Sequence, residues 1–526
     1  MSRSVSRKLE SYAAGRWFQA SDDGKPLLDA ATGEEVARIS SNGLDLREMT
    51  AYARTVGGPA IRSLTFHERA GLLKELAKHL SDPETGIKDE LYDLSASTGA
   101  TRRDSMVDID GGFGTLFSFA SKGVRELPND TVVTDGNLEQ LGRGGTFVGQ
   151  HVYTSRPGVA VQINAFNFPV WGMLEKLAPA FLAGLPSIVK PAAQTAYLTE
   201  LAVRRVIESG SLPEGALQLL CGSPAGLLDE LTVQDSVAFT GSAHTAGMLR
   251  THTNVMHGGV QLGVEADSLN CSVLGPDVTV EDPEFDLFVK EVVAEMTVKA
   301  GQKCTAIRRA IVPSSSADAV IEAVRDRLAK VTVGNPRHED VRMGALVSLE
   351  QREEVRKAIQ SLRASGEVVF GDPDGFNGVE LVDGDPERGA FLSPVLLRAD
   401  RGAIEPHDVE PFGPVSSVLS YDGLDEAVEL AGRGRGSLVA SVVTHDPEVA
   451  RAVVLGLAPW HGRILVLDRD DAGESTGHGS PLPMLVHGGP GRAGGGEELG
   501  GVRGLALYMQ RVALEGSRPV IQKLIG

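Results

Sequence analysis

Between residues 158 and 262 short β-branched runs alternate with segments of helical spacing. "GVAVQI" (158–163), "PSIVK" (186–190), "ALQLLCG" (216–222) and "SVAFTG" (236–241) read as strands. "VWGMLEKLAPAFLAG" (170–184) has helical spacing despite an internal proline, and "AYLTELAVRRVIESG" (196–210) is a cleaner amphipathic helix closed by glycine. Strand, helix, strand in this rhythm predicts an α/β fold with a parallel sheet, and a ligand site at the C-terminal ends of its strands. A second α/β half follows. "EFDLFVKEVVAEMTVKAG" (284–301) and "SADAVIEAVRDRLAKV" (316–331) read as helices. "RRAIVP" (308–313), "GEVVFG" (366–371), "AFLSPVLL" (390–397) and "GPVSSVLSY" (413–421) read as strands. "HGGPGRAGGGEELGG" (487–501) is a loop, too short and too embedded for a disordered tail. No internal repeat is visible. No GxGxxG joins a strand to a helix, and no GxxxxGK[ST] is present, so the usual Rossmann fingerprint and the P-loop are both missing.

Composition narrows the class. The 526 residues carry a formal charge of −19, which disfavours nucleic acid and anionic membrane as partners. The three cysteines, Cys221, Cys271 and Cys304, are odd in number and widely spaced. They form no disulfide framework or zinc pattern and fit a reducing compartment. The N-terminus lacks an apolar signal core, and no apolar run reaches bilayer length. The expectation is a cytoplasmic protein.

Within this cysteine-poor chain, "KAGQKCTAIRR" (299–309) sets Cys304 among lysines and arginines. Electropositive surroundings would ionise the thiol and make it a nucleophile; the alternative is an inert buried thiol.

Six motifs in order turn that choice. "NAFNFP" (164–169), "KPAAQT" (190–195), "FTGS" (239–242), "GVEADSLN" with Glu265, "GQKC" (301–304) and "EPFGP" (410–414) resemble those of the aldehyde dehydrogenase superfamily, over roughly 64–509. The resemblance implies Cys304 as nucleophile, Glu265 as general base, and the Asn167 amide with the Cys304 backbone N–H as oxyanion donors. It further implies a cofactor held by Lys190, Ala193, Gly241, Ser242, Glu410 and Phe412, and no metal. As a base, Glu265 would need its pKa raised by partial burial. Each residue also has a plainer reading: Asn167 as a helix cap, Glu265 or Glu410 as a solvated carboxylate, Phe412 as core.

Departures from the family pattern carry information. "EADSLN" is two residues shorter than the usual base loop, and Ala246 stands where the family often has glycine. Ala193 replaces the glutamate of NAD-preferring members, which removes a charge that would repel a 2′-phosphate. Lys190 remains to pair with that phosphate, so NADP is expected over NAD.

The 487–501 loop resembles the branch acting on CoA-linked semialdehydes after aromatic ring cleavage. Some of that branch carry a C-terminal hydratase domain, and none is expected here, because the dehydrogenase pattern closes near Gly526. The competing readings are a CoA-acylating dehydrogenase, which needs no water-activating base, and a non-enzymatic storage protein. The resemblance implies a Rossmann-type cofactor domain (1–130 and 158–271) and an α/β catalytic domain (272–480). It adds a return segment (481–504) and a small β oligomerisation arm (131–157 and 505–526). Strand exchange through such an arm would give a homodimer, with a tetramer as the alternative.

Overall fold

A computed structural model describes residues 7–525. Two seven-stranded sheets dominate it. In the first, the strands run Gln261–Glu265, Ser236–Thr240, Ala160–Ile163, Ser187–Lys190, Leu217–Leu219, Glu10–Ala13, Arg16–Gln19 across the sheet. The first five are mutually parallel; the N-terminal hairpin closes one edge antiparallel. The chain enters at Ala160–Ile163, steps outward twice, then returns to lay Ser236–Thr240 on the other side of its starting strand. This reversal opens a crevice at the C-terminal ends of those two strands, where open α/β sheets bind ligands.

The second sheet runs Gly366–Phe370, Val395–Ala399, Val415–Tyr421, Arg309–Pro313, Cys271–Leu274, Ser437–Val443, His461–Leu467. Only its edge strand Gly366–Phe370 is antiparallel. A third, three-stranded antiparallel sheet joins Val132–Gln140, Phe147–Ser155 and Met509–Ser517.

A proline and a left-handed turn set two of the boundaries that differ from the sequence reading. The run at 390–397 becomes a strand only at Val395, because Pro394 has no N–H for the ladder; the Val395 N–H then bonds the Pro414 carbonyl at 2.9 Å. The helix read to 301 stops at Thr297. Lys299 and Ala300 turn left-handed (φ 56° and 50°), and the Lys299 N–H is fixed by Asp104 at 3.0 Å. Pro179 does sit inside a helix, Trp171–Ala183. That helix is buried on nearly every side, and packing there outweighs the lost hydrogen bond. Among the described residues, no helix is long and apolar enough to cross a membrane.

Candidate active site

Cys304 lies in the loop that enters strand Arg309–Pro313, so the second sheet presents it to the crevice of the first. The loop is pinned from several directions. Asn270 Nδ2 donates to the Cys304 and Ala306 carbonyls at 2.8 and 3.0 Å. Gln302 Oε1 accepts from the Val347 N–H at 3.0 Å, and Thr305 Oγ1 donates to the Gly479 carbonyl at 2.9 Å. Gly301 has φ +67°, and a Cβ there would collide with the Gly413 carbonyl, so the turn before Cys304 requires glycine.

The electropositive surroundings read from "KAGQKCTAIRR" are not what the thiol meets. Lys303 turns to Glu295 at 2.6 Å. Arg308 spends its guanidinium on the carbonyls of Gly413, Gly301 and Lys303. Arg309 bonds Leu269, Leu430 and Ala431 carbonyls, and Lys299 lies over the Phe168 ring. Cys304 Sγ instead faces His487 Nε2 at 3.8 Å and Glu265. Burial and the Glu265 carboxylate push the thiol well above its ordinary value, against a weaker pull from Lys303.

Glu265 ends its strand buried, as the motif requires, yet its pKa moves opposite to expectation. Burial pushes it up, but the attraction and hydrogen bond of His487, with Lys176 and the thiol, hold it down at about 2. His487 Nε2 stands 3.4 Å from Glu265 Oε2. Burial pushes this imidazole down and Glu265 pulls it up further, so His487 is raised. The pair is a buried carboxylate and imidazole beside Cys304, each drawing the other toward its charged form. Behind it Lys176 Nζ bonds Glu175 and Glu498, each at 3.0 Å. Burial and the neighbouring carboxylates, against Lys176, raise Glu498 to about 7.

Asn167 lines the same cavity, and it does not cap the following helix. Asp108 does: its Oδ1 accepts from the Val170 and Trp171 N–H groups at 3.1 and 2.8 Å. Burial lifts that carboxyl to about 6.

Gly241, Ser242, Glu410 and Phe412 join Asn167, Glu265 and Cys304 around a cavity of about 430 Å³. The Gly241 N–H bonds the Glu265 carbonyl at 3.1 Å, and Ser242 Oγ caps helix Ala243–Arg250 through the Thr245 N–H. Glu410 is half-buried on this cavity, and burial, against the pull of Arg308, raises it to about 7. Phe412 packs edge-on to Phe166, ring centres 5.7 Å apart. Lys190 and Ala193 are not on this cavity. Ala193 lines a second one, about 380 Å³, with Lys25, Glu350 and Arg388; Lys190 ends its strand largely buried.

His487, Glu175, Lys176 and Glu498 escaped the sequence reading. The available signal was a histidine and a glutamate bracketing a glycine run. Those glycines let the loop lie on the base's own strand. The Gly496 N–H bonds the Val264 carbonyl at 3.0 Å, and the Ala266 N–H bonds the Ala493 carbonyl at 2.9 Å. A Cβ at Gly494, where φ is +110°, would collide with Val264.

Comparison with known proteins gives the family. The model of the aldehyde dehydrogenase family matches residues 17–471. The chain is 45% identical over 487 residues to 3,4-dehydroadipyl-CoA semialdehyde dehydrogenase of Aromatoleum evansii, covering 92% of this chain and 93% of that one. It is 46% identical over 187 residues to Protein MaoC of Klebsiella aerogenes, covering 35% of this chain and 53% of that one. Among solved structures, an NAD-dependent aldehyde dehydrogenase from Sinorhizobium meliloti shares the fold at TM-score 0.82 and 22% identity, covering 97% and 95% of the two chains. A betaine aldehyde dehydrogenase from Staphylococcus aureus in complex with NAD+ superposes at TM-score 0.79 and 23% identity, covering 98% and 95%. The chain belongs to the aldehyde dehydrogenase family.

Proposed function

We propose that the chain oxidises a CoA-linked aliphatic semialdehyde, 3,4-dehydroadipyl-CoA semialdehyde, to its carboxylic acid with NADP+, in the cytoplasmic breakdown of aromatic compounds through benzoyl-CoA. The observation that carries the reading is the convergence of Cys304, Glu265 and Asn167 on one cavity, in a chain 45% identical to an enzyme of that name.

Cys304 gives up its proton to water in the cavity, and the thiolate attacks the aldehyde carbon. The tetrahedral oxygen is held by the Asn167 amide and the Cys304 backbone N–H. A nicotinamide held in the cavity would supply the hydride acceptor, and loss of hydride from the adduct would leave a thioester on Cys304. The 430 Å³ cavity fits such a group: it runs from Cys304 to the N-terminus of helix Ala243–Arg250 at the sheet's switch point. Glu410 and Phe412 would hold its nicotinamide end, Gly241 and Ser242 its phosphates, and Lys190 with Ala193 its adenosine. Glu265 then takes a proton from water, and the hydroxide hydrolyses the thioester, releasing the acid and the Cys304 thiolate.

We assign 1–130 and 158–271 to the cofactor, 272–480 to catalysis, and 131–157 with 505–526 to an arm that pairs subunits as a homodimer, with 481–504 as the return segment. Light scattering tests the dimer.

Product analysis tests the function. With NADP+ and the semialdehyde, the free acid should form whether or not CoA is added. A new CoA thioester made only with CoA present would establish the acylating reading instead. Faster turnover of 3-oxo-5,6-dehydrosuberyl-CoA semialdehyde would shift the substrate to the phenylacetate route. For the cofactor, Ala193→Glu should lower kcat/KM with NADP about 10- to 1000-fold more than with NAD, the cost of like charges a few ångströms apart. Lys190→Ala should hurt both, NADP more. An unchanged NADP/NAD ratio in Ala193→Glu, or a wild type that prefers NAD, overturns the choice of NADP.

A further inference from the structure

The ligand-donating atoms of Cys304, His487 and Glu265 all lie within 4.8 Å of one another. One sulfur, one imidazole nitrogen and one carboxylate oxygen form a mixed donor set of the kind that takes zinc. The spacing permits a stricter comparison. Zinc bonds of about 2.3 Å to sulfur and about 2.0–2.2 Å to nitrogen and oxygen, at tetrahedral angles, put sulfur and nitrogen about 3.6 Å apart and nitrogen and oxygen about 3.4 Å apart. Here Cys304 Sγ to His487 Nε2 is 3.8 Å and His487 Nε2 to Glu265 Oε2 is 3.4 Å. Both edges meet at the same nitrogen, and the third, from Cys304 Sγ to the Glu265 carboxylate, closes within 4.8 Å, so a single ion reaches all three atoms as Cys304 and Glu265 draw together. The cavity at Cys304 leaves the fourth tetrahedral position to water.

We propose that the catalytic pocket is also a reversible binding site for a thiophilic divalent cation, zinc, held by Cys304, His487 and Glu265, and that the ion switches the enzyme off by occupying its nucleophile. Binding forms a zinc–sulfur bond and releases the thiol proton; any proton on His487 Nε2 leaves as that nitrogen coordinates, and water fills the fourth position. The two anionic ligands then neutralise the ion. The site differs from a resident zinc centre in its support. His487 Nδ1 is buried with no hydrogen-bond partner, whereas a ligating histidine normally anchors its second nitrogen. Losing such an anchor costs about 10- to 100-fold in affinity, which places the site among exchangeable ones. Lys176, close enough to lower the Glu265 pKa, opposes the ion further.

Binding needs neither cofactor nor aldehyde, so its test stands apart from the dehydrogenase reading. Metal-free full-length protein is titrated with Co²⁺, and the thiolate-to-cobalt charge-transfer band is followed, with Zn²⁺ as competitor. One cobalt per chain should bind with that band, and zinc should displace it. Cys304→Ala should abolish the band, while Cys271→Ala should leave it intact. His487→Gln should weaken binding at least tenfold; if that variant melts early, the near-isosteric Glu265→Gln replaces it with the same expectation. Turnover lost to zinc should return with a chelator. The proposal is overturned if the wild type shows no band, if the band survives in Cys304→Ala, or if removing a ligand leaves the affinity unchanged.

Discussion

Among the described residues two cysteines stand beside a histidine, and one of these histidines faces a carboxylate. Cys271 Sγ is 3.6 Å from His461 Nε2, and Cys304 Sγ is 3.8 Å from His487 Nε2. The sulfur–nitrogen geometry is nearly the same. The chemistry differs because of what stands behind the imidazole. His461 Nδ1 bonds the Leu457 carbonyl, and burial, reinforced by Arg309, drives its pKa down to about 4. His487 faces Glu265, and that attraction outweighs burial. Burial holds one histidine toward its neutral form, and the carboxylate draws the other toward its charged form. Access separates them too: Cys271 is buried in the middle of the second sheet, whereas Cys304 opens on a cavity. A thiol beside a histidine is therefore no nucleophile by proximity alone; it needs a charge partner for the imidazole and room for a substrate.

The largest contrast comes from deleting each sulfur. Cys304→Ala should lower steady-state turnover by at least about 1000-fold while cofactor binding survives, because covalent catalysis is lost and the cofactor rests on other residues. Cys271→Ala should cost about 1 kcal/mol of stability as a buried truncation and leave kcat within about twofold. Turnover above a few per cent in Cys304→Ala would reverse the assignment of the two pairs.

Removing the carboxylate should make the second pair resemble the first. Glu265→Gln keeps the shape but can no longer accept a proton from water or hold His487 charged. A burst of reduced cofactor close to one per chain should precede turnover slowed about 100- to 10,000-fold, the range of a lost general base. Stopped-flow absorbance measures both phases. If burst and steady state fall equally, Glu265 also serves the thiol step.

These pairs show where the sequence was legible. The strands and helices of both sheets follow local periodicity, and the errors fall where a proline or a left-handed turn ends an element, as at Pro394 and Lys299. Cys304, Glu265 and Asn167 were legible because each sits in a short contiguous motif. The electrostatics were not. Lys303, Arg308 and Arg309 are neighbours of Cys304 in sequence, but in a pinned loop they point away and satisfy carbonyls and Glu295. The group that sets the charge state, His487, lies 183 residues from Cys304 along the chain, and no local pattern ties the two together.

The smallest expected effect is a difference of sign in acid, and it tests the comparison through stability alone. His461 has a folded pKa of about 4, below the usual 6.5. Between those values the unfolded chain binds the proton and the folded chain does not, so this histidine costs stability as pH falls from about 7 to 4, by about 3 kcal/mol at most. His487 is shifted the other way. Its raised folded pKa gives stability fully present below pH 6.5 and lost as pH rises through the folded value. Glu265, held at about 2, contributes stability above its usual 4.5 that disappears only as pH falls toward 2. The Glu265–His487 pair therefore stabilises most between about pH 4.5 and 6.5, the window in which His461 destabilises. Relative to wild type, His461→Gln should gain in Tm as pH is lowered from 7.5 to 5, and His487→Gln should lose. For a chain of this length each kcal/mol moves Tm by about 2 °C or less, so differential scanning over closely spaced pH values is the measurement. Parallel slopes in the two variants would mean that the two imidazoles share one charge state, and the carboxylate would not be what distinguishes the catalytic pair from the buried one.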